Sequence, residues 1–326
     1  MKFSVSLLQS QHGGQSETDI FCQAVEQAKL AEALGFHGVW MTEQHFNDFG
    51  ICPDPLAFAA HLAGVTKRIR LCTGVVVLSL HNPVVVAERA ALVDQLSGGR
   101  LDLGIGKGHA KQNYAAFAMD IGENEARFYE AHDLIRAAWA GTKFSYHGKH
   151  FQVDDICIVP RPLQSPHPPI WVATFGNPAM ISFAARRGYP LLHTFTGDSL
   201  KKNLDLYRSE YGGGTLPIIA LGRMLYVHQK REQALADMRA PARWYLDNNP
   251  GRSAQILSYD LAIDDFINNL GIIGSVDDCI QRIRAVRDEH QIQHLACIFG
   301  PGGVPHEKIM ASMRLFAEKV MPEFAD

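Results

Sequence analysis

Residues 94–108, DQLSGGRLDLGIGKG, decide the fold. The SGG at 97–99 reads as a helix-to-strand turn, residues 101–105 are apolar at nearly every position, and Gly106, Lys107 and Gly108 form a tight exit. A strand that is apolar on both faces belongs in a parallel sheet covered by helices. Outward from it, FSVSLL from Phe3, FHGVWMT from Phe36 and IRLCTGVVVL from Ile69 read as strands on the N-terminal side. They alternate with amphipathic runs at 19–34, 55–65 and 84–96. On the C-terminal side strands are expected at 169–173, 190–194, 217–228 and, as HLACIF, from His294. Helices begin near Asn177, Ser199, Glu232, Val276 and His306.

Parallel strands joined by right-handed crossovers leave either a doubly wound sheet or a closed barrel. About eight strand–helix units suit the barrel, and the expected fold is a (β/α)8 TIM barrel forming one domain over residues 1–326. Two departures from the minimal barrel are expected. KFSYHGKHFQV, within 143–159, reads as an inserted β-hairpin turning near His147 and Gly148. Residues 244–274 read as a lid or extra helices before the last strand.

The 326 residues are 47% hydrophobic, enough for a large core. Thirty-one basic and 34 acidic side chains are spread without blocks, a net charge of -3, which gives no electrostatic reason to expect nucleic acid or an anionic membrane as partner. A small-molecule substrate fits better. No apolar run reaches the ~18 residues of a membrane span, and the start has no signal-peptide layout, so a cytoplasmic protein is expected. The six cysteines are scattered without CxxC spacing, which argues against zinc or a disulfide framework; no metal site is expected.

In such a barrel reactive groups sit at the carboxyl ends of the strands. MTEQHFNDFG after the second strand places Glu43, Gln44 and His45 there. An imidazole, with an ordinary pKa of ~6.5, beside a carboxylate could shuttle a proton, or the pair could simply tie down the loop. After the third strand Gly74 and Val75 lie near the core end, where valines first of all fill the barrel. His81 precedes Asn82, a good N-cap with Pro83 behind it, and reads as a surface loop residue. Gly106 and Gly108 let a ligand approach the backbone, with Lys107 between them as a point charge for a phosphate. The dinucleotide fingerprint GxGxxG fails because position 109 is His. WVATFGNPA, with Ala173, Thr174, Phe175, Gly176 and Asn177, makes a turn into a helix N-terminus. That is either an anion site of free N–H groups or an ordinary N-cap by Asn177.

These motifs together carry a resemblance that runs end to end. MKFSVSLL, GFHGVWMTEQHFNDFG from Gly35, TGVVVL from Thr73, DQLSGGRLDLGIGKG, WVATFGNPA from Trp171 and IMASMRLFAEKVMPEF from Ile309 resemble the flavin-dependent bacterial luciferase-like monooxygenases, in particular their α-subunit branch. The resemblance implies FMN at the carboxyl face, its ring beside a non-proline cis peptide at Gly74–Val75. The phosphate would be met by Lys107 and by the turn from Ala173 to Asn177. It implies reduced FMN and O2 as co-substrates, a dry pocket with 256–270 as the candidate lid, and a homodimer through barrel helices such as 55–65 and 84–96. The missing dinucleotide fingerprint fits a separate flavin reductase as partner.

Two departures bear on the reaction. Light-emitting relatives carry paired histidines where this chain has Gln44 and His45, and Gln44 cannot act as a base. A cysteine that such relatives hold beside the flavin is replaced by Gly106. The expectation is therefore a dark monooxygenase with His45, Glu43 and Gln44 at the reacting centre. A deazaflavin-dependent hydride-transfer oxidoreductase and a non-catalytic flavin-binding protein stand as alternatives.

Overall fold

The computed structural model describes residues 1–194, 199–249, 263, 267 and 271–325. Its elements run β1 (Lys2–Leu7), α1 (Glu17–Ala33), β2 (Gly38–Met41), α2 (Pro55–Val65), β3 (Arg70–Thr73), β4 (Val76–Val77), α3 (Pro83–Ser97) and β5 (Leu101–Gly106). They continue with α4 (Lys111–Ala116), α5 (Asn124–Ala138), β6 (Phe144–His147), β7 (Gln152–Ile156), β8 (Ile170–Thr174), α6 (Pro178–Arg187), β9 (Leu191–Thr194) and α7 (Ser199–Glu210). β10 (Ile219–Val227), α8 (Arg231–Asn248), β11 (Ile272–Gly274), α9 (Val276–His290), β12 (His294–Ile298) and α10 (His306–Lys319) complete the order.

Every position of β5 is buried, as a strand inside a parallel sheet must be. The chain of parallel pairings β1–β2–β3–β5–β8–β9–β10–β12 returns to β1, closing an eight-stranded barrel. Strand period two then sorts the side chains. Val5, Val39, Leu71, Leu103, Val172, Leu221 and Leu295 join the main core shared with the helices. Trp40, Cys72, Trp171, Leu192, Ala220 and Ala296 form a separate cluster, in which Trp40 and Trp171 meet edge to face at 5.3 Å.

The segment that opened the reading is a structural clasp up to Leu103. Gly98 and Gly99 take φ +68° and +81°, the left-handed turn out of α3 that a Cβ would strain. Asp94, with no exposed surface, accepts the N–H groups of Leu163 and Gln164 and the Gln164 side-chain amide, at 2.7–2.8 Å. Arg100 lays its guanidinium over the end of α2, donating to the carbonyls of Ala63, Thr66, Ile69 and Ser97 and to Thr66 Oγ1.

The expected single strand from Ile69 is in fact broken. The Gly74–Val75 peptide is cis, and β4 resumes the ladder with β5 one residue out of step: Cys72 pairs with Asp102 but Val76 with Ile105. Four steps along the kinked chain thus match three along β5, a bulge. Thr73 Oγ1 bridges it, donating to Gly104 O and accepting from Gly104 N, both 2.8 Å. A short 3-10 turn, Leu78–Leu80, follows at once.

Outside the barrel, β6 and β7 form the expected antiparallel hairpin. Helices α4 and α5 were not foreseen between β5 and the hairpin, nor was β11, which adds three residues to the end of β10. The expected lid at 256–270 lies outside the described residues, apart from Ile263 and the buried Ile267. Among the described residues no helix is long and apolar enough to cross a membrane.

Truncating Arg100 strands four carbonyls in the buried clasp. Arg100→Ala should cost at least about 3 kcal/mol of unfolding free energy, read from urea denaturation followed by circular dichroism. A loss below about 1 kcal/mol would show that the clasp is not what fixes the α3–β5 turn.

Candidate active site

β2 ends at the carboxyl face of the barrel, and the next residues turn Glu43 back beneath the kinked end of β4. Its side chain has no exposed surface. One carboxylate oxygen, Oε1, accepts Nε2–H bonds from both His45 and His81 at 2.9 Å, and Oε2 accepts the Val77 N–H at 2.9 Å. A carboxylate has only lone pairs to offer, so both imidazoles carry their proton on Nε2. Burial alone would push the Glu43 carboxyl up, but the bonds from His45, His81 and Val77 outweigh it and hold the group below its ordinary range. Burial pulls His81 down while Glu43 lifts it, and the net is a raised value.

Sequence reading brought Glu43 and His45 together correctly and set His81 aside as a loop residue. That last reading is corrected here. Asn82 does cap α3, accepting from Val84 N, but the 3-10 turn before it swings the imidazole of His81 onto Glu43. No periodicity marks a residue brought into place by a one-residue bulge. Gln44 donates its backbone N–H to Cys52 O, and its side chain lies against Gly50, where a Cβ would come within 2.7 Å of Gln44 Cγ.

At the exit of β5 the three alternate glycines face three alternate residues of the kinked strand. A Cβ on Gly104 would lie 1.9 Å from Thr73 O, one on Gly106 2.9 Å from Val75 Cγ2, and one on Gly108 2.6 Å from Val77 Cγ1. The space read from sequence as room for a ligand at Gly106 and Gly108 is thus partly taken by Val75 and Val77. The Lys107 carbonyl accepts from Ser79 Oγ at 2.5 Å and from the Tyr114 hydroxyl. The Lys107 ammonium, one-fifth exposed, pairs with Glu125 Oε2 of α5 at 2.8 Å.

At the end of β8 Ala173 is half-buried, and beyond it Phe175 is 43% exposed and Gly176 takes φ +98°. Of the two readings the sequence left open here, the structure shows the N-cap: Asn177 Oδ1 caps α6 through Met180 N, and the N–H groups of Gly176 and Asn177 are donated to Thr174 Oγ1 at 3.1 and 3.0 Å. The rings of His109 and Phe175 meet at 5.4 Å, joining the β5 exit to this turn. On the β2 side Phe46 and Phe117 flank His45, with centroids 5.7 and 5.2 Å from its ring. Phe46 is 55% exposed at φ +59°, a strained conformation for a bulky residue.

Two polar groups at the carboxyl ends of β1 and β2 are buried without a protein partner: both amide atoms of Gln9, and Thr42 Oγ1. Buried polar atoms of this kind are costly unless something bonds them. Sequence reading passed over both, since nothing in QSQHGG or MTEQ distinguishes an orphaned amide from a satisfied one.

Comparison with known proteins agrees with this fold. The family model for luciferase-like monooxygenases matches residues 1–290. The chain is 28% identical to the oxygenase component of the flavin-dependent trigonelline monooxygenase of Acinetobacter baylyi, over 96% of this chain and 92% of that one. It is 26% identical to an alkanal monooxygenase alpha chain of Photorhabdus luminescens, over 99% and 97%. The crystal structure of monooxygenase RslO1 from Streptomyces bottropensis superimposes with a TM-score of 0.91 at 28% identity, over the whole of both chains. With its closed parallel barrel, the carboxylate cluster at the strand ends and a match across nearly nine-tenths of its length, this chain belongs to the luciferase-like monooxygenase family.

Proposed function

We propose that the protein is the oxygenase of a two-component, FMN-dependent monooxygenase that oxidises a small organic substrate without emitting light. The observation that carries this reading is the Glu43–His45–His81 cluster, set beside the Gly74–Val75 kink at the carboxyl mouth of a barrel of this family. The residues present fit a flavin. Gln9 and Thr42 leave buried polar atoms that the carbonyl and N–H edge of an isoalloxazine would satisfy. Gly74 and Val75 would lie beside its ring, with Gly106, Lys107, Gly108 and the turn from Ala173 to Asn177 around its phosphate.

Reduced flavin, when bound, supplies the electrons that activate O2. The protein's part is to bind, to keep water out and to manage a proton. Glu43 stays ionised and steadies the charge of the His81 imidazole. His81, the more exposed of the two imidazoles with a raised proton affinity, keeps its Nε2–H on Glu43 and is the group that can take up a further proton at Nδ1 and release it toward the reacting oxygen. Gln44 can only hydrogen-bond. Phe46 and Phe117 flank His45 and keep water from the cluster, and with Phe175 at the β8 turn they present exposed apolar rings that favour an apolar substrate. The buried free thiols Cys52, Cys72, Cys279 and Cys297 suit a reducing cytoplasm, where a flavin reductase supplies the reduced cofactor. A homodimer is supported by Val85, Leu92 and Leu96, three exposed aliphatic side chains on one face of α3.

Anaerobic titration tests the cofactor. Reduced FMN should bind in preference to reduced deazaflavin, and Lys107→Ala should weaken FMN by roughly 1.5 to 3 kcal/mol while leaving riboflavin unchanged. Preference for deazaflavin would sink the monooxygenase reading.

The cluster also sets a pH window. Glu43, held low, contributes stability above its unfolded value near ~4.5 that is lost as pH falls through its folded value. His81, held high, contributes stability below ~6.5 that is lost as pH rises through its raised folded value. His81→Gln should therefore flatten the decline in melting temperature on the alkaline side of pH 6.5 and slow turnover there. An unchanged slope would remove His81 from the cluster's energetics. For the dimer, Leu92→Lys with Leu96→Lys should halve the mass seen by light scattering, and a mass unaltered from wild type would place the interface elsewhere.

A further inference from the structure

We propose that Glu125 is an internal competitor for the phosphate subsite: it holds Lys107 when no phosphate is there, and so sets how tightly, and how selectively over unphosphorylated flavin, the cofactor is bound. The inference rests on the FMN reading above and adds a determinant to it.

Four observations carry it. The Lys107 ammonium, the cation of the β5 exit, is paired with Glu125 Oε2 at 2.8 Å, so an incoming phosphate meets an ion pair of zero net charge in place of a lone cation. The Lys107 backbone is pinned by Ser79 and Tyr114 through its carbonyl, which leaves the flexible side chain as the part that can change partners. Glu125 is the more exposed member, 41% against 20%, so it can return to water when displaced. It also keeps support after release. Glu125 lies in the first turn of α5, where the helix end favours a carboxylate, and the Tyr129 hydroxyl donates to its Oε1 at 3.3 Å. Tyr129 packs its ring on Phe183 of α6 at 5.2 Å, so the carboxylate is anchored to the helix that Asn177 caps.

The physical consequence follows from charge. A phosphate dianion drawn to Lys107 must break the pair and stand near the displaced carboxylate, which costs it part of the lysine's attraction. Flavin without a phosphate makes no such exchange. The competitor therefore weakens FMN more than riboflavin, a property suited to a flavin that arrives reduced and leaves oxidised in each cycle.

The test uses the full-length protein, wild type, Glu125→Gln and Lys107→Ala, titrated anaerobically with dithionite-reduced FMN and with dithionite-reduced riboflavin at two salt concentrations. Glu125→Gln should tighten FMN by about threefold to tenfold, leave riboflavin unchanged, and steepen the salt dependence of FMN binding, because an uncompensated cation then faces the phosphate. Melting temperatures measured in parallel report any loss of fold. Unchanged or weaker FMN binding by folded Glu125→Gln, or an equal gain for riboflavin, overturns the competitor. If Lys107→Ala weakens FMN while Glu125→Gln does nothing, only the Glu125 inference falls. If Lys107→Ala also leaves FMN unchanged, the phosphate subsite falls with it.

Discussion

The close approach of β5 to the kinked end of the third strand is the contact on which the rest of the site depends. Three glycines, 104, 106 and 108, give up their side chains so that Thr73, Val75 and Val77 can lie against them. A methyl group at Gly104 alone would drive into the Thr73 carbonyl, so the bulge and the glycine column are two halves of one device. Once the strand is kinked, its continuation is aimed. Val77 presents its N–H to Glu43, Ser79 reaches the Lys107 carbonyl, and His81 completes the carboxylate cluster. Three residues after the kink, Val77, Ser79 and His81, thus touch both ends of the site, the carboxylate cluster and the cationic exit.

Those two ends are built to different mechanical standards. Glu43 is sealed from water, and all three of its donors sit on rigid backbone or short side chains; withdrawing any one would leave a buried charge short of a partner. The Lys107–Glu125 pair joins two long, partly exposed side chains, where the attraction is screened and exchange with solvent or an anion is cheap. A cluster that manages a proton gains from fixed geometry. A cofactor subsite of the kind proposed at Lys107 gains from a pair that can open.

The barrel was legible because its cause is periodic. Alternating apolar strands and amphipathic helices recur eight times, and their closure follows from length and handedness without knowledge of any contact. The turn at Gly98–Gly99 and the hairpin at His147–Gly148 were legible for the same local reason, a residue type suited to a backbone shape. What escaped the sequence depends on long-range register. His81 reads as a loop residue until a single extra residue in the third strand rotates it onto a carboxylate 38 positions away. Glu125 drew no reading because the helix that lays it across the β5 exit was not foreseen, and whether the turn at Gly176 and Asn177 offers free N–H groups or an N-cap stays open until Thr174 turns its hydroxyl to meet them. The glycines at 106 and 108 were recognised, though their space serves the protein's own strand as well as any ligand.

The same logic bears on Gln44, the residue between Glu43 and His45. Gln44 cannot take up a proton, yet the carboxylate it neighbours already serves two histidines through one oxygen, so the site retains an imidazole of raised proton affinity without it. What position 44 contributes is shape. Its Cγ occupies the space that the absent Cβ of Gly50 leaves, while the loop is drawn tight by the Asn47 amide on His45 O and by the left-handed backbone of Phe46. A histidine there would attach two ring atoms to that same Cγ, and the missing side chain at Gly50 is what would admit them. The loop is therefore compatible with either residue, and the difference between them lies in which atom beside the Glu43 cluster can carry a proton, with the fold of the mouth left as it is.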